Sequence, residues 1–212
     1  MINPIYEKLA KVVINFSVQV KEGNRVAIIG PTLAKELFQA LYIEILKAAG
    51  HPLIHAELEG ISALKFKYSS DKQLTYVDEV LKEIYLKFDQ IIQIHAEYNT
   101  NHLATIDPKK IAMAQNTPEM RELMAKFQKR SASGELKWVI APFPCEALAQ
   151  DAEMDIFTYT EFVAKALHLD KEDPVKEWEK VKEKQAKVIE YLDKVKSIHV
   201  LGEDTDLKLS TK

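Results

Sequence analysis

The stretch VAIIGPTLAKE, Val26 to Glu36, sets the reading of the whole chain. Four apolar residues in a row, Val26-Ala27-Ile28-Ile29, are too few for a buried helix and show no polar alternation, so they read as a strand buried on both faces. Gly30-Pro31-Thr32 breaks that run, and the next residues have helical spacing to about Ala49, with Gly50 placed as the helix's C-terminal glycine. A strand, a glycine and a helix N-terminus in succession make a turn whose free backbone N–H groups can hold a phosphate. Dinucleotide binding asks for G-x-G-x-x-G there, and only Gly30 is present, which favours a plain βα turn.

Working outward, the same alternation recurs. Upstream, Asn3-Pro4 opens a helix as N-cap and first helical residue, and Ile5, Leu9, Val12, Val13 and Phe16 repeat on one face. Downstream, Pro52 to Leu58 reads as a second strand, about Asp71 to Leu86 as a helix, and Asp89 to Ala96 as a third strand. Asp107 caps a helical stretch that Pro118 interrupts, and Trp138 to Ala141 is a fourth strand ended by Pro142 and Pro144. A long helix carries Val175, Trp178, Val181, Val188, Ile189 and Leu192 at helical spacing, with Glu183–Lys187 and Glu190–Lys194 as candidate pairs on its outer side. The expected fold is α/β: a mainly parallel sheet of about four or five strands with helices on both faces. It fills residues 1–196. Ile198 to Leu201 and Asp206 to Ser210 then read as the first strands of a second, β-containing domain, residues 197–212.

Composition removes several function classes. With 29 basic and 32 acidic residues, the net charge of −3 leaves no basic footprint for nucleic acid. No run approaches the roughly 18 apolar residues of a membrane span, and the N-terminus lacks the pattern of a secretory signal, so a cytoplasmic protein is expected. A single cysteine, Cys145, excludes an intrachain disulfide and a cysteine-rich zinc site. Abundant lysine and glutamate fit a heat-loving source.

Candidate site residues are sparse. His51 and His55 are four apart, but Pro52 makes the segment extended, where four residues span roughly 13 Å and cannot share one zinc. His95-Ala96-Glu97 with Pro144-Cys145 has part of the H-x-E…P-C-x-x-C pattern of zinc deaminases, but Leu148 occupies the second cysteine position. His95 and His102, at and beyond a strand's C-terminal end, are the best remaining pair. Cys145 reads as a small buried hydrophobe, and the carboxylate pairs Glu57/Glu59 and Asp204/Asp206 have no second ligand type beside them. Neither a catalytic nor a metal-binding residue is assigned. One alternative is a stand-alone small-ligand module binding a nucleotide or similar anion at the sheet's C-terminal edge, near Gly30, Glu59, His95 and Asn99.

The segment WVIAPFPCEALAQDAEMDIFTYTEFVAKALHLDKEDPVKEW, Trp138 to Trp178, resembles the thermophilic metalloaminopeptidase family, the group of aminopeptidase T and aminopeptidase S. That family has a strand ending in proline, then P-T-P-A-x-A-Q-x-A-G-M, then F-x-x-F-V…D…P…W. Pro144, Ala147, Ala149, Gln150, Ala152, Met154, Phe162, Val163, Asp170, Pro174 and Trp178 match. Cys145 and Glu146 replace the usual Thr and Pro, and Glu153 replaces a glycine. Similar matches run along the chain, ending with Thr205-Asp206-Leu207, which match the family's G-T-D-L strand with Asp204 where the glycine would be. The resemblance implies a two-metal aminopeptidase, with zinc, cobalt or similar ions, whose metal ligands follow T-D-L. This chain would then be the non-catalytic N-terminal domain, binding no metal itself. The expected partners are its own C-terminal catalytic domain, peptide substrates and a second copy in a homodimer that encloses the active centres.

Overall fold

Strand β1 (Arg25–Pro31) contains the apolar run Val26-Ala27-Ile28-Ile29, and all four of its residues are buried. The computed structural model describes residues 2–211. In it β1 pairs in parallel with β2 (His51–Glu57) on one side and β3 (Gln90–His95) on the other, and β3 pairs in parallel with β4 (Lys137–Pro142). The strand order is β2-β1-β3-β4, a four-stranded parallel sheet. A separate antiparallel hairpin comes after it, β5 (Ser197–Gly202) with β6 (Thr205–Ser210).

Side chains alternate across β1 into two cores. Val26 and Ile28 join Ile92 and Ile94 of β3 under α1 (Pro4–Lys11), a wide π-helical segment (Val12–Ser17) and α2 (Lys35–Lys47). Ala27 and Ile29 join Ile91 and Leu136 on the opposite face, beneath α5 (Glu79–Lys87) and α7 (Pro118–Ala132), which bring Ile84 and Phe127. The π segment lets three consecutive residues, Val12, Val13 and Ile14, be buried together, which a single α-helical face does not allow. Trp178 of α10 (Pro174–Leu192) closes the first core: its ring centroid lies 5.9 Å from that of Phe16, and its Nε1 donates to the Leu167 carbonyl at 3.1 Å.

The helix expected over Asp71–Leu86 is two pieces. Ser70 and Gln73 form a reciprocal capping box that opens the short α4 (Asp71–Leu74), and Asp78 caps α5 by accepting from the Val80 and Leu81 amides. Two N-caps in nine residues offer the backbone a better arrangement than one continuous helix. Three short helices had no sequence expectation of their own: α3 (Ile61–Tyr68), α8 (Glu146–Asp151) and α9 (Ile156–Ala166); α6 (Pro108–Gln115) is the piece before Pro118. Of the two expected ion pairs on α10, Glu190–Lys194 closes at 2.9 Å. No helix among the described residues is long and apolar enough to cross a membrane.

Helix endings depart from expectation in a consistent way. Gly50 is not the left-handed residue that ends α2; Ala49 is, at φ 56°, while the Gly50 amide donates back to the Ile45 carbonyl at 3.0 Å. Gly50 is glycine for want of room, since a Cβ there would stand 2.8 Å from Val20 Cγ1. The same six-residue closure ends α8 with Glu153 left-handed at φ 55° and α9 with His168 at φ 57°. Glu153 is the position where the resembling family has glycine, so its backbone holds the conformation that glycine would take without strain.

These backbone constraints make stability the quantity to measure. A Cβ on Gly30 would lie 2.7 Å from Ile94 Cβ and 3.1 Å from the Ile94 carbonyl oxygen, so β1 and β3 would have to separate. Gly30→Ala is expected to lower stability by about 1–3 kcal/mol, seen as a lower urea midpoint at unchanged slope. Glu153→Gly should act oppositely: relief of about 1–2 kcal/mol of left-handed strain, less the extra chain entropy of glycine, leaves a gain of roughly 0.5–1 kcal/mol and a higher Tm.

Candidate functional site

The connection from β1 leads to β2 on one side, and the chain then returns across β1 to β3 on the other. Between β1 and β3 the two crossovers diverge, and the loops at the strands' C-terminal ends leave a crevice, the usual ligand position in open α/β sheets. A cavity of about 520 Å³ lies there, lined among others by Pro31, Glu57, Glu59, Gly60, Ser62, Gln93, His95, Glu97, Tyr98, Asn99 and His102. Three of the four residues singled out from the sequence, Glu59, His95 and Asn99, are thus brought to one crevice. Gly30 is not among its lining residues; its missing side chain is required by the approach of Ile94 instead.

A second cavity of about 390 Å³ adjoins the first and shares Glu97 and Tyr98 with it. Its other walls are mainly apolar: Leu33, Phe143, Pro144, Ala147 and Ile156. The residues between the two cavities are fixed from behind. Buried Cys145 donates its thiol to the Glu97 carbonyl at 3.3 Å and accepts from the Glu97 amide at 3.4 Å. The Tyr98 hydroxyl is 3.0 Å from the Thr32 hydroxyl, tying the loop after β3 to the turn after β1. Phe143 stacks on Tyr6 with centroids 4.9 Å apart, and burial pushes the Tyr6 hydroxyl above its usual pKa, with Glu36 adding to the shift.

Polar groups in the larger cavity are held by local turns. Asn99 Oδ1 accepts from the Asn101 amide at 2.9 Å, and His102 Nδ1 lies 2.8 Å from the Asn99 carbonyl, to which the protonated nitrogen donates. The same nitrogen is 3.7 Å from Glu97 Oε2. Glu57 and Glu59 approach Gly60, whose φ of 74° turns the chain into α3. Among the described residues, no lysine or arginine lines the cavity. The charge of Glu57 reaches Tyr85 as well, adding to the upward shift that burial imposes on that hydroxyl.

The remaining sequence candidates stay apart. His51 and His55 lie along the edge strand β2, opposite Arg25 and Ile29 of β1. Asp204 and Asp206 sit in the hairpin, where Asp206 Oδ1 meets His199 Nε2 at 2.7 Å. That contact is diagonal across two strands and depends on a register that no sequence pattern displayed. Among the described residues, no three His, Cys, Asp or Glu side chains come together in a group able to hold a metal ion.

A four-stranded parallel sheet with a crevice at its switch point defines an α/β domain of the doubly wound type. The chain belongs to the thermophilic metalloprotease family M29, whose family model matches residues 3–212. Aminopeptidase 2 of Geobacillus stearothermophilus is 21% identical over 198 residues, covering 88% of this chain and 47% of that protein. The solved structure of wild-type AmpT from Thermus thermophilus shares the fold, with a TM-score of 0.77 at 16% identity over 97% of this chain and 53% of that one. The chain therefore spans about half the length of these relatives. Membership of a metalloprotease family implies metal ions, but the Glu97–His102 pair has no third ligand beside it, and the described residues do not fit a metal centre.

The wall of the second cavity depends on the start of α9. Asp155 caps that helix: the Thr158 hydroxyl donates to its Oδ2 at 2.5 Å, and the Thr158 and Phe157 amides donate to its Oδ1 at 3.0 and 2.9 Å. These bonds, the Thr158 hydroxyl first, hold the Asp155 carboxyl below the usual aspartate pKa. A depressed folded-state pKa stabilises fully above the unfolded value and is lost as pH falls through the folded one. Asp155→Ala should therefore lower Tm at pH 7, and its deficit against the native chain should shrink as pH falls below the usual aspartate range. Thermal melts of both proteins from pH 7 to acid check this; a deficit independent of pH would show that the carboxylate charge is irrelevant.

Proposed function

We propose that this chain is the N-terminal, non-catalytic domain of an M29 aminopeptidase, an enzyme that removes N-terminal residues from peptides with two divalent ions such as zinc or cobalt. The observation that carries the reading is apolar surface left bare on α10 and on the hairpin after it. Val188, Ile189 and Leu192 of α10 are exposed, and so are Val200, Leu207 and Leu209 on one face of the hairpin after it. Neighbouring exposed apolar groups of this kind mark a surface for another folded body. The relatives are about twice as long as this chain, which supports a second half as that body. In this reading the metal chemistry belongs to that second half, and the present domain supports the site and walls its approach.

A second copy is proposed as a further partner. Ile2, Tyr42, Ile43 and Ile54 surround an apolar hollow of about 490 Å³ beside the open edge of β2, a surface suited to such contact. Family membership favours the aminopeptidase reading over a stand-alone ligand-binding module. The test is hydrolysis of leucine p-nitroanilide by the purified 212-residue chain supplied with zinc or cobalt. Release no faster than with metal alone is expected; saturable turnover would overturn the non-catalytic role.

A further inference from the structure

The ladder between β1 and β2 decides which backbone groups of β2 face outward. The His51 amide donates to the Asn24 carbonyl at 2.7 Å, and the Asp89 amide donates to the Arg25 carbonyl at 3.0 Å. Alternate residues of a strand turn to opposite neighbours, so Asn24, Val26, Ile28 and Gly30 serve β2, while Arg25, Ala27 and Ile29 serve β3. On β2 the same alternation has His51, Leu53, His55 and Glu57 bond inward, and Pro52, Ile54 and Ala56 direct their backbone groups to the outer edge. Pro52 thus stands where its missing N–H removes nothing from the ladder. Among the described residues β2 has one strand neighbour, β1. Natural edges are often blunted by lysine, and the sequence of β2, HPLIHAE, has none.

The helix beside this edge has a second apolar face. α2 buries Leu37, Phe38, Leu41 and Ile45, yet Tyr42, Ile43 and Leu46 are exposed. With Gln39 they have the i, i+3, i+4, i+7 spacing of a face that packs on another element. Ile2 and Ile54 continue that surface around the hollow between the helix and the edge. Leu46 and, on the other face of β2, Leu53 are not among the hollow's lining residues, so a small molecule seated there would leave both bare. Tyr42, Ile43, Leu46, Leu53 and Ile54 are each 38–53% exposed. Together they leave on the order of 400 Å² of apolar surface, close to the apolar share of the roughly 800 Å² that each partner buries in a stable complex. A partner that covers it must offer a strand edge and an apolar helix face side by side, and this chain itself offers both.

We propose that two copies of the chain join about a two-fold axis perpendicular to the sheet, β2 pairing antiparallel with its own copy through Ile54 and Ala56, and α2 packing on α2. The two parallel sheets become one continuous sheet with an antiparallel seam, and the two helix dipoles oppose each other. Such a contact is isologous, so it closes at two copies and uses up the β2 edge. The proposal rests on the reading of a second copy as partner, and gives that partner its seat and its symmetry.

The test is sedimentation equilibrium of the 212-residue chain, joined to amide hydrogen exchange along β2. Kd is expected in the micromolar range or below, so the chain should be a dimer at about 100 µM. The Ile54 and Ala56 amides should exchange at least about tenfold more slowly in the dimer than in dilute monomer, because only there are they hydrogen-bonded. The Leu53 and His55 amides, bonded to β1, should not show that dependence on concentration. Leu46→Lys and Ile54→Lys should each weaken the dimer at least about tenfold by placing an unpaired charge in the contact. Leu46 is 53% exposed, so its variant keeps the test decisive even if Ile54→Lys fails to fold. Ile140→Lys, on the opposite edge strand β4, should leave the dimer unchanged. A monomer at about 100 µM would overturn the proposal and leave the edge to a strand of another protein. A dimer that survives Leu46→Lys, with Ile54 and Ala56 exchanging freely, would overturn this seat while the second copy stood as partner; so would a dimer broken by Ile140→Lys. None of these outcomes bears on the anilide assay, so the enzyme reading stands or falls separately.

Discussion

Strand β1 is the constraint on which everything else in the sheet rests. Its four central residues face two cores at once, Val26 and Ile28 to one side and Ala27 and Ile29 to the other. A strand in that position requires helices above and below and a neighbour at each edge, which β2 and β3 supply in parallel. Parallel neighbours in turn require crossover helices, so the layered α/β architecture is the outcome of one short apolar run. The tightest point of this arrangement is Gly30 against Ile94, where the backbones of β1 and β3 leave no space for a methyl group.

The same close approach positions the crevice. The β1–β3 pairing ends at Ile29 and Gln93, two residues before each strand does, and the carboxylates and imidazoles on the strand ends and the loops beyond them line the opening. Glu97 is the pivot of that surface. Its backbone is gripped by Cys145, a residue whose value here lies in packing and two weak sulfur hydrogen bonds rather than in reactivity. Beside it Tyr98 bridges to Thr32. A rigid seam between a polar and an apolar hollow is thus produced by contacts made for folding.

The central strands β1 and β3 were legible because they are short, mainly apolar and buried, and all four strands of the sheet lie within a residue or two of the positions read from the sequence. Glu59, His95 and Asn99 were legible as a group because strand ends on one side of a parallel sheet share an edge. Helix ends were not. Glycine is the usual sign of a left-handed terminus, yet Ala49, Glu153 and His168 take that conformation here, and Gly50 next to one of them serves packing. Only the resemblance, through the glycine that Glu153 replaces, carried information about such a position. The small helix α3 was missed because it has no buried face to impose a period. His199 and Asp206 went unpaired for a different reason: strand register decides which side chains meet, and register is a property of the folded hairpin.

Two strands alone are marginal in water, and the hairpin β5–β6 has no third strand beside it among the described residues. Its outer edges run next to exposed Val200, Leu201 and Leu207. Such an edge is a template for adding another strand, from whatever chain is near. The Lys208, Asp206 and His199 side of the ribbon places polar and charged groups on both strands, one of the ways natural edges resist such pairing.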